Sequence, residues 1–161
     1  YAADITRSWP TNGSFTEPQK ELYQIVLDAQ IAAINECVPG NPYTAPHEAA
    51  RKVLAEGLIK VGVISQTLEE ALDSKTGQLK DWYMHNASHW IGLDVHDVGS
   101  MDWEMKEGMV FTCEPGIYIL KEELGIRLEN DILVTTNNPN DLMKNIPIEI
   151  EEIESLMNNR D

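Results

Sequence analysis

An ionisable group set among apolar residues of an extended segment must either point to solvent or meet a counter-charge, because burying an unpaired ion is costly. Five positions pose that choice: Asp4 in Ala2-Ala3-Asp4-Ile5, His89 in Ala87-Ser88-His89-Trp90-Ile91, Glu114 in Val110-Phe111-Thr112-Cys113-Glu114, and Glu129 and Asp131 in Ile126-Arg127-Leu128-Glu129-Asn130-Asp131-Ile132. Any one of them alone is most simply an acid or imidazole at a solvated strand face or end. Their coincidence shifts the balance. Three or more carboxylates brought together repel unless cations neutralise them, and a carboxylate-rich set with a single imidazole suits hard or borderline ions such as Mn²⁺. Carboxylates that bridge two such ions would activate a shared water for attack on a carbonyl, so the chemistry implied is hydrolysis. Residue type and spacing do not rank Glu129 above Asp131.

Two more histidines flank His89, four residues before it and seven after. In an unbroken strand His96 would face away from His89, but Gly92 is a natural break, and a loop beyond it could return His96 over the site to meet a substrate carbonyl or an oxyanion. The plainer alternatives are a surface histidine for His96 and a backbone-satisfied core imidazole for His85.

These residues need a scaffold. Thr16-Glu17-Pro18-Gln19 reads as a helix start, followed by helix to about Val38 with Leu22, Ile25, Val26, Ala29, Ala32 and Ala33 on one stripe. Pro39-Gly40-Asn41-Pro42 ends it, and Thr44 caps a second helix that buries Ala50, Val53, Leu54, Leu58 and Val61. A weaker helical stretch covers 65–72 and a turn 73–78. Then the pattern changes to β-type runs over 84–93, 109–120 and 126–136, and an acidic segment at 149–157 closes the chain with Ile150, Ile153, Leu156 and Met157 on a helical face. The opening residues 1–9 read as the middle of a strand with no initiator Met, which fits a truncated or processed chain. No repeat, low-complexity tract or linker interrupts the 161 residues, the length of one domain.

A net charge of -15 repels phosphate backbones and anionic lipid, which argues against nucleic-acid and membrane partners. No run is long enough for a membrane span and no leader-like segment opens the chain, so the expected location is cytoplasmic. Cys37 and Cys113 sit in apolar runs and read as small buried thiols without a disulfide.

The strings Ser88-His89-Trp90-Ile91-Gly92-Leu93-Asp94-Val95-His96-Asp97-Val98-Gly99, Glu114-Pro115-Gly116-Ile117-Tyr118 and Gly125-Ile126-Arg127-Leu128-Glu129-Asn130-Asp131 closely resemble the Xaa-Pro aminopeptidase (aminopeptidase P) family of pita-bread metallopeptidases. Asp4-Ile5-Thr6-Arg7-Ser8-Trp9-Pro10 resembles the same family's second ligand strand. The resemblance implies an α+β fold, the second half of a pita bread: a curved antiparallel sheet with the ligands on its inner face and the two long helices outside. Residues 1–161 would then be a single partial catalytic domain without the family's amino-terminal domain.

Carried over, the resemblance makes Asp4, His89, Glu114 and Glu129 ligands of two divalent ions, most simply Mn²⁺ with Co²⁺ or Zn²⁺ as alternatives, and makes Glu129 bridging. Glu114 would also take the proton from water, His96 would meet the substrate carbonyl, His85 would stabilise the transition state, and Arg127 would orient a carboxylate. The substrate would be a peptide with proline in second position, and the full-length form a homo-oligomer. A prolidase-type dipeptidase and a non-catalytic peptide-binding module are the alternatives. Two features depart from the family. Its first Asp ligand and an upstream pocket His have no counterpart, which predicts an inactive fragment whose exposed strand edge invites association. Its His-Gly-Leu reads His85-Asn86-Ala87 here.

Overall fold

Thr16 opens the first helix through reciprocal bonds: its hydroxyl accepts the Gln19 N–H while the Gln19 side chain accepts the Thr16 N–H, ahead of Pro18 in the first turn. The computed structural model describes residues 1–159, and in it this helix, α1, spans Glu17–Asn35, ending short of Val38. Helix α2 spans Ala45–Lys60. Thr44 stands at its N-cap position, yet already has helical backbone angles and its hydroxyl makes no capping bond. The two helices pack closely at Gly57, where a Cβ would stand 2.5 Å from Cγ2 of Ile25. Short helices α3 (Leu68–Leu72) and α4 (Leu79–Trp82) follow, the first with its own Thr67–Glu70 capping box.

The β-type runs resolve into β1 (Val110–Cys113), β2 (Gly116–Ile119), β3 (Leu124–Arg127), β4 (Asn130–Leu133) and the two-residue β5 (Asn140–Asp141), all paired antiparallel. β2 and β3 form one sheet, and β1, β4 and β5 the other. The pairings Val110 with Leu133 through Cys113 with Asn130, and Gly116 with Arg127 through Ile119 with Leu124, belong to one continuous register. The two sheets are therefore two halves of one long hairpin. It is interrupted only where Glu114-Pro115 faces Leu128-Glu129, and the Leu128 N–H still reaches the Pro115 carbonyl at 3.3 Å. Pro115 has no N–H to give, and the backbone N–H groups of Glu114 and Glu129 turn outward to other segments, to Ala87 and Thr6.

Period two then assigns the faces. Phe111, Cys113, Ile117, Ile119, Ile126, Leu128 and Ile132 are buried in the core. Their face lies under α1, with Gln30 of α1 donating to the Cys113 carbonyl and Cys37 touching Cys113 at 3.6 Å between sulfurs. The opposite face carries Thr112, Glu114 and Tyr118 against Arg127, Glu129 and Asp131. A last helix, α5 (Ile150–Asn158), buries Ile150 and Ile153.

Two expected strands are irregular. Residues 84–93 form no ladder and touch β1 through a single bridge, Trp90 with Phe111, while residues 1–9 pair only through Thr6 with Glu129. In both segments side-chain acceptors and bends replace the regular rungs.

Candidate metal centre

Four neighbouring extended segments each deliver one ligand-type side chain. The hairpin supplies Glu114 and Glu129, which its register places directly opposite one another. Flanking it, the 87–90 segment brings His89 and the 2–6 segment brings Asp4. His89 Nε2 lies 3.4 Å from Asp4 Oδ2, 3.6 Å from Glu114 Oε1 and 3.8 Å from Glu129 Oε1. Ligand atoms of His89, Glu114 and Glu129 lie within 4.8 Å of one another, as do those of Asp4, His89 and His96.

Two acids at opposed positions repel, and here burial adds to the cost. Burial, with the Glu129 carboxylate next in importance, pushes Glu114 up to about 7. Glu129, almost fully buried, is also raised, by burial first and by Asp4 in addition. His89 donates Nδ1–H to the Trp90 carbonyl at 3.0 Å, which leaves Nε2 aimed at the three carboxylates. That donor set, three carboxylates and one imidazole nitrogen, fits a divalent cation and is strained without one.

Arg127 offsets this cost only in part, through space. Its Nε donates at 3.2 Å to the Thr6 hydroxyl, and that hydroxyl donates to Glu129 Oε2. The expected orientation of a carboxylate by Arg127 therefore passes through Thr6. Arg7 is equally committed: it donates to the carbonyls of Glu129 at 3.0 Å and Pro147 at 2.8 Å and to Asn130 Oδ1 at 2.8 Å, fastening the Asp4 segment to β4.

The histidines sort by their partners. His85 donates Nδ1–H to the Asn86 carbonyl at 2.8 Å, and its Nε2 accepts from the Tyr118 hydroxyl at 2.8 Å. Burial lowers its pKa, which favours the neutral imidazole that these two bonds require. The alternative reading of His85 as backbone-satisfied holds for one nitrogen only. His96 comes back over the site as the break at Gly92 suggests, its ring centroid 4.1 Å from that of His89. Asp97 makes this return, accepting the N–H groups of Leu93 at 2.8 Å and Val98 at 2.7 Å. A Cβ on Gly92 would fall 2.2 Å from Asp97 Oδ2, so the turn requires glycine.

The seven residues to which the resemblance gives a role (Asp4, His85, His89, His96, Glu114, Arg127 and Glu129) line one open concavity of about 480 Å³, and Asp131, singled out with them, is not in its lining. Sequence reasoning missed Thr6, Arg7 and Tyr118, and left Asp131 unranked. The legible signal for the last two was period two: Tyr118 falls on the face of Glu114, and Asp131 on the face of Glu129.

A model of metallopeptidase family M24 matches residues 1–136. The chain belongs to metallopeptidase family M24. Among curated M24-type relatives, Xaa-Pro aminopeptidase of Haemophilus influenzae is 38% identical over 98% of this chain, and that of Escherichia coli K12 is 36% identical over 98%. The chain spans 39% and 38% of their lengths. Solved structures agree. The Pseudomonas aeruginosa aminopeptidase PepP superimposes with a TM-score of 0.91 at 38% identity over 98% of this chain and 38% of its own, and a zinc-substituted E. coli aminopeptidase P in complex with product with 0.90 at 36% identity, again over 98% and 38%. The α+β architecture here is thus the later part of the pita-bread fold of this M24 branch. Among the described residues, no helix is long and apolar enough to cross a membrane.

Proposed function

We propose that this chain is the metal-carrying part of an M24 hydrolase that releases the amino-terminal residue from peptides with proline in second position, using two divalent ions, preferentially Mn²⁺. The observation that carries the reading is the ring of Asp4, Glu114 and Glu129 around His89 Nε2 at 3.4 to 3.8 Å, on a framework like that of aminopeptidase P. Divalent ions bound there supply Lewis acidity for attack of water on a peptide carbonyl. The chain's own side chains do the rest. Glu114, whose pKa is displaced to about 7, takes up and returns a proton at its carboxylate. His96, on the exposed rim, donates to the carbonyl oxygen as charge develops on it. His85 and the Tyr118 hydroxyl act as one hydrogen-bonded unit beside Glu114, and the Arg127–Thr6 chain orients Glu129, which with Asp4, His89 and Glu114 would hold the ions.

On this reading residues 1–161 form one part of a catalytic domain, and this part alone is inactive because four ligands do not complete a two-ion site. The whole enzyme is a homo-oligomer, and the two buried thiols, unjoined at 3.6 Å, favour a reducing, cytoplasmic setting. The test is elemental analysis after incubation with Mn²⁺ and desalting, beside Glu129→Gln. Retained Mn²⁺ that the variant loses supports the site, and assay of the whole enzyme on an Xaa-Pro tripeptide against an Xaa-Pro dipeptide then separates aminopeptidase from prolidase. If both chains retain the same amount of Mn²⁺, the ring is not the binding site.

A further inference from the structure

The two outer ligands are held in an unusual way. In a regular antiparallel ladder the N–H of a residue is accepted by a backbone carbonyl on the facing strand. For both His89 and Asp4 it is accepted by a side-chain oxygen instead. The His89 N–H goes to Thr112 Oγ1 at 3.1 Å, although the Thr112 N–H still reaches the His89 carbonyl at 3.1 Å. On the other side Thr6 and Glu129 exchange both backbone bonds, and the same register two residues further on puts Asp4 opposite Asp131. The Asp131 carbonyl, however, is taken by Leu142 at 3.0 Å, because the edge of β4 passes to β5 at that point. The Asp4 N–H goes to Asp131 Oδ2 at 3.1 Å.

Thr112 and Asp131 are themselves directly paired across the hairpin, both are fully or almost fully buried, and their rung lies two residues from that of Glu114 and Glu129, on the same face. One oxygen of Asp131 is buried with no partner, a cost that a core position without a further role would not need to carry.

We propose that the Thr112–Asp131 pair is the positioning element of the metal centre: one rung whose two side chains stand in for backbone carbonyls and so fix the backbone of His89 and of Asp4 against the hairpin. Neither residue touches an ion or substrate. With the ligand residue's N–H diverted to a side-chain oxygen, and on the His89 side the other bond of the pair kept by the backbone, each flanking segment is turned at its ligand residue rather than paired as a regular strand. This rests on reading the ring as a metal centre, and the test separates the two claims.

Mn²⁺ affinity of the 161-residue chain is measured by titration calorimetry for the wild type, Asp131→Ala, Asp131→Asn, Thr112→Val, Thr112→Ser and Glu129→Gln, with folding checked by circular dichroism. Asp131→Ala and Thr112→Val are expected to weaken binding by about 10- to 100-fold. Asp131→Asn and Thr112→Ser keep an acceptor oxygen in place and are expected to stay close to wild type. Unchanged affinity in the Ala and Val chains, or an equal loss in the Asn and Ser chains, overturns the proposal. If the wild type and Glu129→Gln alike bind no Mn²⁺, the metal reading fails for this chain and amide hydrogen exchange decides the positioning claim. Faster exchange at Asp4 and His89 in the Ala and Val chains only, with Thr6 unchanged, supports it, and exchange equal to wild type overturns it.

Discussion

Glu114 carries the electrostatic cost of the site most openly. Its pKa rises from 4.5 to about 7, so between those values the folded chain holds a proton that the unfolded chain has released. The folded state binds more protons there, and its stability falls as pH rises through that window. Glu114→Gln removes the term without changing the shape of the side chain. In the metal-free chain the variant is therefore expected to gain on wild type between pH 5 and pH 8, by on the order of 1–3 kcal/mol at the upper end, in urea titrations. Added Mn²⁺ should reverse the order, because only the wild type then gains. A difference that stays constant from pH 5 to 8 would mean that the Glu114 pKa is not raised in the folded chain. The acids of this ring were legible because each breaks an apolar run. Their partners were not: Thr6 and Arg7 are ordinary residues of an extended segment until β4 is known to lie beside them, and a carboxylate's hydrogen-bond donor leaves no mark in the pattern of hydropathy.

At the scale of elements, the helices were readable because capping chemistry is local, as the Thr16–Gln19 box shows. The hairpin was readable in its alternation but not in its interruption. Glu114-Pro115 and Leu128-Glu129 look like continuous strand in sequence, and only pairing reveals that the backbone groups of both glutamates are turned away from each other. The 84–93 and 1–9 segments were over-read as strands because their composition is β-like, while at His89 and Asp4 the backbone N–H goes to a side chain that composition cannot locate. The support beneath the sheet is testable at Gly57. Ala has the better helix propensity, but a Cβ 2.5 Å from Ile25 forces α1 and α2 apart, so Gly57→Ala is expected to destabilise by about 1–3 kcal/mol. Urea midpoints measure it; a stabilised variant would mean that Ile25 gives way freely and that the helix pair is loosely packed.

The molecule as a whole sets two opposing tendencies against each other. Tyr1, Trp9, Leu93, Val98 and Trp103 are large apolar side chains left exposed, while a net charge of -15 keeps copies apart. Self-association is therefore expected to increase as salt screens the charge, and sedimentation velocity at about 20 and 300 mM salt, on either side of a Debye length near 10 Å, should show it. A chain that stays monomeric at both ionic strengths would mean the exposed surface is too scattered to pair. The separation of Asp4 from its partners has a temporal meaning too. Glu114 and Glu129 belong to a hairpin that closes over a short turn, whereas the acceptor of the Asp4 N–H lies 127 residues along the chain. Of the four ligands, Asp4 is synthesised first and placed last, since loop closure over that distance follows the local pairing. A cation that recognises only the finished ring arrives too late to speed folding, and its stabilisation should be felt almost wholly as a slower rate of unfolding.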